Sequence, residues 1–559
     1  MKDKNAQVGS ASNFFASHAN VIAIALTILT FFVGLLLFNV RVDEGGDDST
    51  YITRAIDLVG SGTYPTYQGP LYPMFLAIFV AIFGTNVVLL KFTSLLLIAA
   101  SQYIFYRMLR GRVGDRAIFA VMGLMSINSI VLFFGSMTYS EALFTVVQYL
   151  FFATILRCAS IVATNKKSEL LSTIPPAVLV VLAYLIRTVG FGLGIVGVVF
   201  LCIQRKYLRA AMFVGAMALT LMLWMGIRYA VWGEVKSDNR QIESLMQVHP
   251  YQAEDGQETI AGYAGRVVDN SNLYISKHLM RILGLHKADD RSTSGVVTLL
   301  FYLLFGYGAY RVWRRGNVAL QLMVVSSVVM LGITFVVLQA LWDQVRLVVP
   351  YVAPALLIVL FALMEILRIV LKSKAELVMS CLVGVCGMFV LSQTISKIDM
   401  PTLRRNLKGD MLYGYTPDWY NYLSVCKEVY NQLPQDAYVA CRKPNMARIY
   451  SGGHKFFGIY NFYTEDADEL VDNLKEHNVT HIIVASLRRD PLIPNDQVIN
   501  TIHRYMKFVM DKYPNAFELC GQCGSEGNEP TYLFAVRYDY IEAMRAHLAT
   551  SANKEDGHE

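Results

Sequence analysis

The chain has 559 residues, of which 54% are hydrophobic and only 16% charged, and its mean hydropathy is +0.40. This is too apolar for a soluble multidomain enzyme and places the chain among polytopic membrane proteins. The formal charge of +6 does not indicate nucleic acid, because Lys and Arg fall in short runs between apolar stretches, where they report orientation in a bilayer.

Crossing the hydrocarbon takes about 20 apolar residues per helix. Eleven stretches qualify, near 19–40, 86–107, 117–135, 141–163, 172–187, 189–204, 210–231, 295–313, 317–341, 347–371 and 376–395. The fifth and sixth share one apolar run, VLAYLIRTVGFGLGIVGVVF, which is expected to break at Arg187-Thr188-Val189-Gly190, where a charge and a glycine suit a re-entry point. The first stretch lacks strong positive flanks and a small-residue cleavage site, so it reads as a retained helix.

Between the first two spans, residues 41–73 carry Asp43, Glu44, Asp47, Asp48 and Asp57, several tyrosines and a Gly/Pro-rich tail. Helical spacing over STYITRAIDLVGSG puts Asp47 at a helix start with Tyr51 and Ala55 on the same face. A carboxylate at a helix N-terminus is well held for use as a base; the plainer reading is a solvated acidic loop with Asp47 as an N-cap. Leu71–Phe83 is apolar but too short to span and is expected to be interfacial or re-entrant. The basic runs at 107–116, 165–167, 204–209, 311–315 and 368–374 alternate with the acidic loops. By the positive-inside rule they are cytoplasmic, so the first loop, residues 232–294 and the C-terminal region face outward.

Four further charges stand at the outer ends of spans: Lys91, Glu141, Arg187 and Arg346. Such charges are costly unless they face a polar cavity or a partner. Each has a plain alternative: Lys91 or Arg187 snorkelling to headgroups, Glu141 capping its helix through SMTYSE, and Arg346 pairing with Asp343. Arg228 and Glu365, with no charged company in sequence, read as structural. Within 232–294, YISKHLMRILGLH has helical spacing and reads as an amphipathic helix lying on the bilayer.

From about residue 396 the composition becomes that of a soluble domain. DAYVAC, KFFGIYNF, HIIVAS and YLFAVRY have strand character and Asp466–His477 and Val498–Asp511 helical character, which together make a small α/β domain. Cys158, Cys202, Cys381 and Cys386 lie in spans; Cys426, Cys441, Cys520 and Cys523 lie outside. The Cys520-Gly-Gln-Cys523 pair reads as a Gly-rich turn closed by a disulfide, ahead of a redox or zinc role.

GDDSTYITRAIDLVGSG, GPLYP and IFGTNVVLLKFTS, followed by SMTYSEALF and DQVRLVVPYVAP, stand in an order that resembles the GT-C glycosyltransferases of the protein O-mannosyltransferase and lipid A aminoarabinose transferase type. The resemblance covers roughly residues 20–370. It implies a polytopic α-helical membrane protein of GT-C type with a C-terminal extracytoplasmic α/β domain: a catalytic membrane domain over 1–395, with external loops 41–85 and 232–294, and a soluble domain over 396–559. It further implies transfer of a sugar from a polyprenyl-phosphate donor to a lipid, protein or glycan acceptor at the outer face of the membrane, with inversion. Asp47 matches the family's catalytic aspartate, Asp48 stands where the family has glutamate, and Glu141 matches a second acidic position. Lys91, Arg187 and Arg346 match basic positions suited to the phosphate, and Tyr51, Tyr64 and Tyr72 are candidates to stack on the sugar. Asp43-Glu44 competes for the Asp47 role but lacks the tyrosine at the right distance. A divalent metal, held by Asp47, Glu141 and a histidine such as His249, stays open. A bacterial inner membrane is the expected setting, with the active site and C-terminal domain periplasmic. The rival readings are a transporter or lipid flippase, which would place its charges at mid-bilayer on repeated broken helices, and a membrane-anchored sensor working through the α/β domain.

Overall fold

The computed structural model describes residues 15–555 apart from 16, 67, 163–164, 236–239, 251, 288–289, 461–463, 490–496 and 526–527. The end of the expected strand KFFGIYNF, at 461–462, thus lies outside the described residues. The chain forms two compact units: Met1–Asn39 with Arg54–Met400, and Val40–Thr53 with Pro401–Glu559.

The first unit is a helical bundle. Its elements are α1 (Ala19–Leu36), the later part of α2 (Asp47–Ser61), α3 (Leu71–Phe83), α4 (Val87–Leu109), α5 (Asp115–Ser126), α6 (Glu141–Ser160), α7 (Lys166–Ile186), α8 (Gly192–Ile203), α9 (Tyr207–Trp232), α10 (Ile260–Ser271), α11 (Gly295–Arg315), α12 (Val318–Val337), α13 (Val349–Leu371) and α14 (Ala375–Ile395). Each of the eleven expected apolar stretches coincides with one of these helices or, for 117–135, with α5 and the helical stretch Ser129–Ser136, bent by 59°. Among the described residues eight helices pass as spans by length and composition, with Val349–Ile395 taken as one run of 47 residues. At about 1.5 Å per residue that run would extend about 70 Å, more than twice the hydrocarbon thickness of about 30 Å. It divides into α13 and α14 at Lys372, whose φ of 46° no α-helix accommodates.

The shared fifth and sixth stretch breaks at the expected place. α7 ends at Ile186, Arg187 is extended, and Thr188–Phe191 forms a 3-10 turn leading into α8. α9 exposes Leu219, Met222, Leu223 and Ile227, the apolar surface of a lipid-facing helix. The basic helix ends are tied together: Glu365 is buried and receives Arg311 and Arg315 at 2.7 Å each and Arg368 at 3.5 Å. Glu365 is therefore a structural residue with three cationic partners, which its sequence neighbours do not reveal.

The segment 232–294 departs from expectation. It contains a two-stranded antiparallel ribbon, β1 (Gln247–His249) and β2 (Gln252–Gln257), then α10 running into a π-helix over Asn272–Leu279. Every residue from Leu273 to Leu279 is buried. The YISKHL segment therefore packs inside the unit, against α11 and other neighbours, instead of lying amphipathically on the bilayer. The wider π turn rotates successive side chains away from the 3.6-residue stripe on which that reading depended.

The second unit carries a five-stranded sheet of β3 (Val439–Cys441), β4 (Phe457–Gly458), β5 (His481–Ala485), β6 (Phe517–Cys523) and β7 (Thr531–Val536), in the order β4-β3-β5-β7-β6. β4, β3 and β5 are parallel, and β7 and β6 are antiparallel additions. The expected helices appear as α17 (Ala467–Glu476), capped by the Asp466 carboxylate, and α18 (Thr501–Lys512); α15 (Pro417–Gln432) and α16 (Pro444–Tyr450) precede them. Leu470, Val471, Leu474, Ile482, Tyr505, Met506 and Val509 build the core beneath the sheet. Cys520 and Cys523 lie on β6 and not in a turn, and all eight cysteines are free thiols. Cys523 pairs in register with Thr531 of β7, while Cys520 falls at the bulge between Leu519 and Gly521.

Candidate functional site

In the membrane unit the candidate residues collect on SMTYSE. After the 3-10 turn Phe134–Ser136 the chain is extended at Met137 and enters α6 at Glu141, and Met137 and Tyr139 join one buried cluster with Phe134 and Val349. Three cations from three elements reach this segment. Lys91, on α4 and fully buried, brings Nζ to 3.7 Å from Met137 Sδ. Arg346, in the loop before α13, holds its guanidinium 5.0 Å from the Tyr139 ring centre and donates Nε–H to Gln344 Oε1 at 2.7 Å. Arg187 donates to Glu141 Oε1 at 2.5 Å, with the two side chains 17% and 3% exposed, and lies over Phe144.

The plain alternatives can be judged from these positions. Lys91 does not snorkel, because its ammonium is enclosed. Glu141 is drawn to Arg187. Asp343 is claimed by Lys277 Nζ at 2.5 Å and His278 Nε2 at 2.8 Å.

Two glycines fix Arg187. A Cβ on Gly69 would stand 2.3 Å from the carbonyl oxygens of both Leu185 and Ile186, and one on Gly190 would stand 2.3 Å from Ala183 backbone carbon. The GPLYP loop and the 3-10 turn thus close onto the end of α7 only because these positions lack side chains. Tyr72, from the same loop, is wholly buried with its hydroxyl 3.5 Å from Ser94 Oγ. Tyr64 instead meets the end of α9, its ring 5.2 Å from that of Trp232; burial raises its pKa against the opposing pull of Arg228.

Asp47, Asp48 and Tyr51 belong to the second unit, where the acidic segment is fastened on both sides. Tyr415 donates its hydroxyl to Val42 O at 2.5 Å, Tyr450 OH accepts from Val42 N at 3.2 Å, and the two hydroxyls are 2.8 Å apart. Arg41 lies over Tyr415 and donates to Gly414 O. Asn445 Nδ2 donates to Thr50 Oγ1 at 3.0 Å. Within the segment the carboxylates divide their tasks. Asp43 accepts from Gly45 N at 3.0 Å, and buried Asp48 accepts from Asp43 N at 3.1 Å, while Asp47 opens α2 half-buried. Gly46, with φ of 100°, makes the turn before it. Tyr51 is buried one turn on.

Sequence reasoning missed Lys443, whose Nζ donates to Glu44 O at 2.8 Å, and the Lys277–His278–Asp343 group. The cue for the second was a buried-looking Lys-His pair in an apolar segment; for Lys443 no local cue existed, since its partners lie about four hundred residues earlier. Among the described residues no three His, Cys, Asp or Glu side chains gather as metal ligands, His249 included.

No protein-family model matches the chain, and no curated protein matches it. The fold is that of the GT-C membrane glycosyltransferases. Among solved structures, the chain is similar to ArnT from Cupriavidus metallidurans in the apo state, with a TM-score of 0.54 at 12% identity over 94% of this chain and 99% of that one. It is equally similar to the same protein bound to undecaprenyl phosphate, with a TM-score of 0.54 at 12% identity over 93% and 98%.

Proposed function

We propose that the protein is a membrane glycosyltransferase that takes a sugar from a polyprenyl-phosphate donor and passes it to an acceptor hydroxyl or phosphate, working at the outer face of a bacterial inner membrane. The observation that carries this reading is the convergence of Lys91, Arg187 and Arg346 on one short segment that supplies a single carboxylate, Glu141. Three cations drawn together at span ends suit an anion presented from the lipid, and arginine's planar fork suits phosphate. The shared fold with a protein crystallised with undecaprenyl phosphate supports the same donor class.

The chemistry needs few groups. The bond between the anomeric carbon and the donor's phosphate oxygen breaks and its electron pair stays on the phosphate, so the leaving group departs as an anion without a general acid. An acceptor oxygen forms the new bond from the opposite side, and its proton passes to a carboxylate. Asp47, at the N-terminus of α2, is assigned that role. Arg187, Arg346 and Lys91 stabilise the phosphate, with Glu141 holding Arg187 in place.

The test uses wild type and Asp47→Asn in detergent with a panel of undecaprenyl-phosphate-linked sugars, measuring binding, release of undecaprenyl phosphate and transfer to membrane extract. Release by the wild type and a loss of about 100-fold to 10,000-fold in Asp47→Asn, with unchanged melting, is expected for a general base. An Asp47→Asn protein with full turnover removes Asp47 from the mechanism. Absence of binding to any sugar-phosphate lipid in both proteins returns the weight to a transporter.

A further inference from the structure

Within the membrane unit the π-helix Asn272–Leu279 brings two successive residues to one carboxylate. Lys277 Nζ donates to Asp343 Oδ2 at 2.5 Å and His278 Nε2 donates to Asp343 Oδ1 at 2.8 Å. Both donor side chains are 3% exposed, whereas that of Asp343 is 41% exposed. The donors therefore lie beneath the carboxylate and its outer side is open. A carboxylate offers about four acceptor positions, and among the described residues Lys277 and His278 are the side chains that use them. Tyr274, its ring 5.4 Å from that of His278 and stacked at 6.1 Å on Phe335, braces the imidazole. The group is costly to hold. Asp343 takes a φ of 22° between the 3-10 turns Ala340–Trp342 and Val345–Leu347, a region that non-glycine residues rarely occupy. Among the described residues the buried Lys277 ammonium, with three donors, has the one acceptor Asp343, and buried His278 Nδ1 and Trp342 Nε1 have no hydrogen-bond partner. Backbone strain, a π-helix and underused polar atoms at one open carboxylate point to function ahead of folding.

The chemistry of the open side selects its ligand. Outward carboxylate oxygens repel phosphate, and Lys277 beneath them already balances their charge, which leaves little attraction for a second cation. Neutral O–H donors remain, and two outward oxygens suit two hydroxyls on adjacent carbons. Trp342, the chain neighbour of Asp343, is partly exposed and adds an aromatic surface. The cations assigned to phosphate are near: Arg346 follows in the same loop, and the charges of Asp343 and Arg346 both reach the Tyr274 hydroxyl. We infer that Asp343 is a sugar-binding residue whose open carboxylate accepts two adjacent hydroxyls of the pyranose carried by the lipid-linked donor, with Lys277 and His278 as positioning residues beneath it. This rests on the donor class proposed above and names the part of the donor that is recognised.

The experiment measures equilibrium binding to the full-length protein in detergent, so it needs no turnover. It compares wild type, Asp343→Asn and the double variant Lys277→Met/Asp343→Asn, which removes the buried ammonium together with its counter-charge. The probes are bare undecaprenyl phosphate, the same lipid carrying glucose, mannose or galactose, and the singly deoxygenated forms of whichever sugar binds tightest. Wild type is expected to bind one sugar-linked form more tightly than the bare lipid. It should lose about 10-fold to 100-fold in affinity when either of two neighbouring hydroxyls is removed, and little when the others are. Asp343→Asn should bind the bare lipid as wild type does, bind the sugar-linked form 10-fold to 100-fold more weakly, and no longer distinguish the deoxygenated forms. A folded variant that still distinguishes them as wild type does overturns the inference, as does equal weakening toward the bare and sugar-linked lipids, the mark of a clamp. If Asp343→Asn melts early, the double variant decides. A wild type that binds the sugar-linked forms no better than the bare lipid overturns the inference and leaves the lipid-phosphate reading standing. A wild type that binds none of these lipids defeats the donor class itself, and the inference falls with it.

Discussion

Glu141 and Asp47 both open helices, and the protein treats them in opposite ways. Glu141 is buried within the membrane unit and committed to one partner, Arg187. Asp47 is half-buried in a segment fastened through its neighbours, by Tyr415, Tyr450, Asn445 and Lys443. A carboxylate neutralised by a bound arginine makes a good strut and a poor base, because its charge is already engaged. Asp47 instead stands at the start of α2, in a turn that Lys443 also enters. In the proposed mechanism Asp47 is the base and Glu141 holds Arg187, a division of roles that variants of both residues test.

The largest effect that sharpens this contrast is the rate loss expected in Asp47→Asn without loss of melting temperature. Glu141 should behave in reverse. Glu141→Ala leaves Arg187 without its buried counter-charge, and breaking such a pair costs about 3–5 kcal/mol. Early melting of the membrane unit and weak binding of undecaprenyl phosphate are expected, whereas Glu141→Gln, which keeps shape and an acceptor, should recover most of the stability and measurable turnover. A stable but dead Glu141→Gln would break the contrast and make Glu141 a second chemical group.

Next in size is Gly69→Ala. The added Cβ meets two backbone carbonyl oxygens at 2.3 Å, and neither can rotate away. The GPLYP loop must then shift off the end of α7 at a cost of about 1–3 kcal/mol, and Arg187 moves with it. Weaker binding of undecaprenyl phosphate alongside the lower melting point is the expected result; a drop in melting with full affinity would separate the loop from Arg187.

How much of this was legible in sequence follows from the range of the forces involved. The spans were readable because hydrophobic length is a local property, and the break at Arg187 was readable because charge and glycine stand in adjacent positions. The α/β unit was readable from strand runs, except β6: FELCGQC is interrupted by a glycine and two cysteines, and it becomes a strand only through its pairing with β7. The candidate residues of SMTYSE were found individually, but their convergence depends on α4, the end of α7 and the loop before α13 meeting, which no window of sequence contains. Lys443 is the extreme case, since its hydrogen bond to Glu44 O joins positions 399 residues apart that only the folded second unit brings together.

The smallest predicted effect concerns the Lys277–His278–Asp343 group, which lies in the membrane unit but outside its spans. His278 is buried, and burial lowers its pKa despite the hydrogen bond to Asp343. For a base whose folded pKa lies below its unfolded one, the folded state binds fewer protons once the pH falls below the unfolded value of about 6.5, so stability declines as pH drops from there. Asp343 works in a lower window. Burial pushes it up, but hydrogen bonds from His278 and Lys277 overcome that and hold it at about 2, so its contribution is present above about pH 4 and disappears only toward pH 2. Melting in detergent should therefore fall between pH 7 and 5, with His278 contributing beside His481 and His503, whose pKa values burial also lowers. His278→Gln, which keeps a donor toward Asp343 and cannot take up a proton, should reduce that slope while leaving the fall below pH 4 in place. A slope between pH 7 and 5 that His278→Gln leaves unchanged would place the titrating groups elsewhere, His481 and His503 being next in line.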